Sequence, residues 1–364
     1  MTRAQALVLT KPRSLETREF DLPIISDNDA ILKIEACGLC GTDHEQYTGA
    51  IPSGFEFIPG HESVGIIEEI GDQAQKLWGV TVGDRVAVEV FQSCRDCDQC
   101  RSGNYRQCVS HGLGDMYGFI PVSKNPHLWG GYASHQYLGP DTILHKVPDN
   151  LDPVMATLFN PLGAGLRWGA TIPEVKRGDV VAILGPGIRG ICAVVAAKLA
   201  GAGYIAITGK GKMDESRLNS AKAFGADLTV DVDEIEPDKA LVKAIGTLAD
   251  VVVNVTAKAP SAFGQAVKLV KPGGRVVMAG TSGVGQAPGL WPDLIVYKEI
   301  TILGALGVDS AAYSKALDIL AGGEFPFADL DREVVGIESV DKLILEMAGE
   351  TPKTPPVHGV VTPA

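Results

Sequence analysis

Four cysteines, Cys94, Cys97, Cys100 and Cys108, fall within the run CRDCDQCRSGNYRQC. Interleaved with Arg95, Asp96, Arg101 and Asn104, they cannot form a hydrophobic nucleus. Thiolates at this spacing suit a closed tetrahedral site, in which zinc takes four sulfurs at about 2.3 Å and leaves no position for a substrate. Two disulfides are the alternative, and they need an oxidising compartment. The opening run MTRAQALVLTKPRS has neither the apolar segment nor the cleavage site of a secretory signal. The expectation is a structural zinc in a lobe over residues 91–110, a scaffold metal that does no chemistry.

A second constellation is GPGIRG at Gly185–Gly190. It follows the apolar run Val180–Leu184 and opens a helical segment read from Ile191. Strand before and helix after give a GxGxxG its meaning as a dinucleotide site. Gly185 makes the turn, Gly187 admits a pyrophosphate, Gly190 lets helix and strand pack, and the helix N-terminus offers free N–H groups to the phosphates, with Ile188 also expected in the cofactor site. An acidic residue some twenty positions on normally holds the ribose 2′-hydroxyl of NAD. Here the stretch reads Thr208, Gly209, Lys210, Gly211, Lys212, with no carboxylate until Asp214. Lys210 and Lys212, with Arg217, could hold a 2′-phosphate, which favours NADP over NAD. Exposed lysines after a strand are also found merely solvated.

CGLCGTD at Cys37–Asp43 and GHESVG at Gly60–Gly65 complete the pattern. With the four-cysteine lobe, the glycine turn and KPGGRVVMAG at Lys271–Gly280, the chain resembles the zinc-containing medium-chain alcohol dehydrogenases over essentially its whole length. The resemblance implies a GroES-like β-rich catalytic domain (1–161 and 305–364) around a Rossmann doubly wound parallel sheet (162–304). It implies Cys40 and His61 as catalytic zinc ligands, Thr42 as the hydroxyl that relays the substrate's proton, and Asp43 as the carboxylate that orients a ligating histidine. Glu62 is the acidic neighbour that some members use as a ligand.

Two positions depart from that pattern. The remaining ligand of the family, a Cys or Glu, opens an Xaa-Pro-Leu segment that here is Asn160-Pro161-Leu162. A neutral amide is a poor zinc ligand beside thiolate, imidazole or carboxylate. Zinc is then expected on Cys40, His61, Glu62 and a water, as in the polyol dehydrogenase branch, the alternative being a weak or empty site. His44-Glu45 stands where many relatives have an apolar residue and a relay histidine, so Glu45 or solvent must finish the relay. Cys37 continues the strand Ile31–Ala36 and reads as packed, not as a redox partner of Cys40. His111, His127, His135, His145 and His358 have no ligand spacing and read as surface or hydrogen-bonded residues.

The elements that must position these residues change character along the chain. The first 150 residues read as all-β, with short β-branched runs at Ala30–Glu35, Ser63–Ile70 and Asp84–Val90. From about Lys176 to Leu303 strand-like and helical segments alternate, which implies a parallel α/β sheet. Helices near Tyr313–Ala321 and Val340–Ala348 precede a Pro-rich end. The apolar stretch Val180–Ile207 is broken by Pro186, Arg189 and Lys198, so it reads as buried strand–helix–strand and not as a membrane span.

The chain has 364 residues, 45% hydrophobic and 21% charged, as an ordinary two-domain protein would. A formal charge of −12 argues against nucleic acid or an anionic membrane as partner. Seven cysteines without a signal imply a reducing cytoplasm, and Cys192 reads as core. The expected activity is hydride transfer between an alcohol or carbonyl compound and nicotinamide, with two zinc ions per chain, in a homodimer or homotetramer. Closure of a cleft between the domains is expected to exclude water. The rivals are a zinc-independent quinone or enone reductase of the same fold and a non-enzymatic NADP-binding relative. Met116, Tyr117, Phe119 and Trp129, with Trp291 and Leu306, are expected beside the substrate, although such side chains also occur in cores.

Overall fold

The computed structural model describes residues 3–257, 259–281 and 285–363. The chain divides into one unit of Met1–Asn160 with Asp309–Ala364 and a second of Pro161–Val308. The first unit opens with the antiparallel hairpin β1 (Arg3–Lys11) and β2 (Ser14–Asp21). Its main sheet contains β3 (Ala30–Leu39), β4 (Glu62–Ile70), β5 (Arg85–Val88), β6 (His135–Leu138) and β7 (Leu144–Lys146), completed by β14 (Arg332–Gly336) and β15 (His358–Thr362). The order is β14-β15-β3-β4-β5-β7, with β6 also on β3. Leu32, Ile67, Val86, Leu128 and Leu138 fill the core on this sheet.

The all-β expectation for the first 150 residues is corrected by three short helices, α1 (Gly41–Thr48), α2 (Asp72–Trp78) and α3 (Asp98–Arg101). Sequences such as GTDHEQYT carry no apolar periodicity to read. What makes α1 is its ends: Cys40 caps the start, and Gly49 takes the left-handed conformation at φ 78° that stops it. The Pro-rich end also hides β15, whose strand character comes from pairing with β3 and β14 on its two sides. Helices α4 (Pro153–Ala156) and α5 (Phe159–Leu166) lead out of this unit.

In the second unit, strands β8 (Val180–Leu184), β9 (Tyr204–Gly209), β10 (Leu228–Asp231), β11 (Ala249–Asn254), β12 (Val270–Met278) and β13 (Thr301–Gly304) are all parallel. Helices α6 (Ile188–Leu199), α7 (Glu215–Phe224), α8 (Pro237–Ile245), α9 (Ala262–Leu269) and α10 (Asp293–Tyr297) connect them. The strand order β10-β9-β8-β11-β12-β13 reverses between β8 and β11, the doubly wound topology whose switch point takes ligands. Runs such as VVAIL and ADVVVN are apolar throughout because both faces of a parallel sheet are covered. The stretch Val180–Ile207 resolves into β8, α6 and the start of β9, and no described helix is long and apolar enough to cross a membrane. The remaining helices, α11 (Ser310–Gly322) and α12 (Val340–Met347), return to the first unit.

Candidate active site

Strand β3 delivers Cys40 to the start of α1. Its sulfur accepts the Thr42 N–H at 3.4 Å, while Asp43 Oδ2 accepts the Cys40 N–H at 2.7 Å. This reciprocal cap fixes the sulfur at the N-terminus of α1. Glu62 opens β4 and pairs with Gly38 across the ladder, bringing His61 with it. The ligand atoms of Cys40, His61 and Glu62 lie within 4.8 Å of one another, and all three residues are buried.

Gly38 explains how the carboxylate reaches that place. A Cβ there would overlap Glu62 Oε2 and stand 3.1 Å from Glu62 Cβ. Sequence reading passed over this residue, whose signal was a glycine directly after the first cysteine of CGLC. Thiolate, imidazole and carboxylate form a donor set suited to zinc, with a fourth position open for catalysis. The buried atoms Asp43 Oδ1 and His61 Nδ1, 3.6 Å apart, have no hydrogen-bond partner among the described residues. A metal on His61 Nε2 puts the ring hydrogen on Nδ1, facing Asp43. The residues fit the ion.

The Thr42 hydroxyl lies 3.5 Å from the Cys40 sulfur, on a half-buried residue. Glu45 is half-buried one turn further along α1. His44 is buried and turned elsewhere, its Nε2 2.6 Å from Glu350 Oε1. Arg13, and after it His44, hold the Glu350 carboxyl below its usual range. The Asn160 amide donates to the Tyr313 hydroxyl. Cys37 lies fully buried in β3, where burial and then Asp43 push its thiol up, so it stands as a packed residue.

In the lobe, the sulfurs of Cys94, Cys97, Cys100 and Cys108 also lie within 4.8 Å of one another. Backbone N–H groups of Cys97 and Asp96 push the Cys94 thiol down to about 6. Cys97 caps α3, which carries Cys100, and a short turn at Tyr105–Gln107 delivers Cys108. Tyr105 anchors the lobe by donating to the buried Glu89 at 2.6 Å. The other histidines are hydrogen-bonded: His111 to Asp141, His127 to the Val122 carbonyl, His135 to Ser134, His145 to Glu89 and His358 to Arg332.

The placement of Tyr117 and Trp129 beside the substrate is corrected. Tyr117 is buried with its hydroxyl 2.5 Å from Thr142 Oγ1, and Trp129 packs edge-on against Tyr137. Phe119, by contrast, has its ring centre 5.9 Å from that of His61.

In the second unit the helix after the glycine turn starts at Ile188, three residues earlier than read, so Gly190 sits in its first turn. Gly185 has φ 107°, and a Cβ on Gly190 would overlap the Gly185 carbonyl. A Cβ on Gly187 would meet nothing within 4 Å, so this side of the turn is open to a phosphate. Thr208 and Gly209 end β9. Beyond them Lys210 and Lys212 are exposed, and Arg217 pairs with Asp214 at 3.3 Å. Asp214 accepts the Lys210 N–H and Asp231 the Gly211 N–H, so both carboxylates brace this loop.

A GroES-like β unit with a three-donor metal cluster and a doubly wound unit with an open glycine turn define a metal- and nucleotide-dependent dehydrogenase. Residues 26–149 match the alcohol dehydrogenase GroES-like domain, and residues 190–322 the zinc-binding dehydrogenase domain. The chain is 61% identical over 360 residues to a Mycobacterium tuberculosis protein named "Probable alcohol dehydrogenase", covering 99% of this chain and 98% of that one. It is 29% identical to the erythritol/L-threitol dehydrogenase of Mycolicibacterium smegmatis, covering 90% of each. The fold matches the crystal structure of an alcohol dehydrogenase from Thermotoga maritima with a TM-score of 0.86 at 24% identity, over 100% of both chains. The chain belongs to the zinc-containing medium-chain alcohol dehydrogenases, oxidoreductases that act on CH–OH groups with NAD(P).

Proposed function

We propose that this dehydrogenase carries two zinc ions per chain: a structural one on Cys94, Cys97, Cys100 and Cys108, and a catalytic one on Cys40, His61 and Glu62. The meeting of the latter three donors within 4.8 Å, with Gly38 leaving room for Glu62, carries this reading. Asn160 stands where relatives place a charged ligand, and its neutral amide leaves the fourth position to water or substrate. Zinc bound there supplies a Lewis acid that polarises the alcohol or carbonyl oxygen.

Thr42 takes the proton that the alcohol gives up. Glu45, at i+3 on the same face of α1, passes it toward solvent. Asp43 orients His61, and Phe119 offers an apolar wall suited to an alcohol with an apolar substituent. The turn at Gly185, Gly187, Ile188 and Gly190 holds the pyrophosphate. Lys210, Lys212 and Arg217 favour the 2′-phosphate of NADP, since Asp214 and Asp231 are occupied with loop backbone.

Strand β13 is an edge strand with Ile302 exposed, in the same unit as the exposed Trp291, Val296 and Tyr297. An apolar edge of this kind supports a homo-oligomer, dimer or tetramer. Sites that depend on thiolates suit a reducing compartment, and we place the enzyme in the cytoplasm.

Oxidation of primary, secondary, aromatic and polyol alcohols with each cofactor tests this reading. It expects zinc-dependent turnover, faster with NADP, that falls about 100-fold or more in Thr42→Ala. Turnover that survives removal of the catalytic metal favours the zinc-independent reductase instead.

A further inference from the structure

Three buried polar atoms beside the proposed catalytic centre lack a hydrogen-bond partner among the described residues: Asp43 Oδ1, His61 Nδ1 and the Tyr132 hydroxyl. Asp43 is common to all three. Its Oδ1 lies 3.6 Å from His61 Nδ1, and its other oxygen already accepts the Cys40 N–H. After burial itself, the Asp43 charge is the largest influence raising the Tyr132 hydroxyl well above its ordinary value. One carboxylate oxygen has lone pairs for two donors.

Tyr132 is also tied to the backbone that carries His61. Its N–H donates to the Pro59 carbonyl at 3.0 Å, and the neighbouring Gly131 N–H donates to Gly60 at 2.8 Å. Gly60, at φ 87°, lies under the Tyr132 ring, where a Cβ would come within 2.6 Å of Tyr132 Cδ1. The ring therefore shapes the turn before His61, and its buried hydroxyl is left without a partner among the described residues, beside the carboxylate oxygen that is also left without one.

We propose that Tyr132 is a positioning residue: its hydroxyl donates to Asp43 Oδ1 beside the His61 Nδ1–H, fixing the carboxylate and so the tautomer and ring angle with which His61 meets the metal. The inference rests on the reading of Cys40, His61 and Glu62 as zinc ligands. Two donors on one oxygen leave Asp43 no freedom to rotate. With the hydroxyl removed, the carboxylate can turn and His61 loses its fixed orientation.

Tyr132→Phe keeps the ring on Gly60 and deletes one oxygen. Chelator competition should show the catalytic zinc held about tenfold or more less tightly, with the structural zinc unchanged as the measure of an intact fold. The cobalt-substituted catalytic site should also shift its visible spectrum. In an Asp43→Asn background the same change should have little further effect, because the shared acceptor is already altered. A wild type that binds a single zinc defeats the ligand reading. A wild type with two, and a folded Tyr132→Phe with unchanged catalytic affinity and cobalt spectrum, overturns the role of Tyr132 alone. Should Tyr132→Phe not fold, 3-fluorotyrosine placed at position 132 serves instead. Its fluorine resonance should move when zinc fills the catalytic site, and a resonance that stays put overturns the proposal.

Discussion

The side-chain amide of Asn160 donates to the hydroxyl of Tyr313 at 3.2 Å, and both residues are buried. The Tyr313 ring in turn packs on Phe159, 5.1 Å between centres. Asn160, which we propose stands in for a charged ligand, is thus held by α11 through its nitrogen. Asn160→Ala should cost about 1 kcal/mol of stability, as loss of one hydrogen bond does, and leave the catalytic zinc in place. Asn160→Cys adds a thiolate and should slow zinc release to a chelator. Loss of that zinc in Asn160→Ala would contradict the assignment.

Gly38 should prove as sensitive as a ligand. A methyl group at this position takes the space of the Glu62 carboxylate, and because it faces a side chain the sheet can keep its pairing. Gly38→Ala is expected to weaken catalytic zinc binding about tenfold or more while the melting temperature changes little. Unchanged metal affinity in a zinc titration would mean that the pose of Glu62 is not needed.

Cofactor preference should follow the two exposed lysines. Lys210→Ala with Lys212→Ala removes the two charges proposed to hold a 2′-phosphate and should raise KM for NADP about tenfold while sparing NAD. Gly209→Asp is a poorer probe, since a Cβ there stands 3.0 Å from Asp214 Cβ and 3.1 Å from Leu218. A wild type already faster with NAD would refute the reading of the lysines.

His358 should make the fold acid-sensitive. Burial first, then the Arg332 charge, pushes its pKa down to about 3 from an ordinary 6.5. Its Nδ1 accepts from Arg332 Nε at 3.0 Å, so the neutral ring is the folded form. The unfolded chain binds the extra proton, so this contribution is complete above about pH 6.5 and is lost as pH falls toward 3, on the order of 3–5 kcal/mol in all. His358→Gln should start less stable but show a flatter loss through that window in denaturant titrations. An acid limb as steep as that of the wild type would contradict the assignment.

The two-domain α/β architecture and the family were legible because glycines and cysteines carry their meaning in spacing. GPGIRG and the four-cysteine run announce backbone and metal geometry that few other residues could satisfy. The short helices of the first unit were not, because caps such as Cys40 and Gly49 make α1 and periodicity does not. Tyr117 and Trp129 looked like substrate contacts, since an aromatic side chain reads alike in a core and in a pocket. Gly38 and Tyr132 were missed for a different reason. Their roles exist only across the sheet, where Gly38 meets Glu62, and across the turn, where the Tyr132 ring covers Gly60.

Zinc counted per chain in the wild type and in Glu62→Ala tests the central claim most directly. The arrangement on Cys40, His61 and Glu62 predicts two ions in the wild type and one in Glu62→Ala, with the structural ion retained. Cys97→Ser should give the reciprocal result, a lost structural ion and a lower melting temperature with the catalytic ion still held. Two ions retained in folded Glu62→Ala, or a single ion in the wild type, would contradict the account.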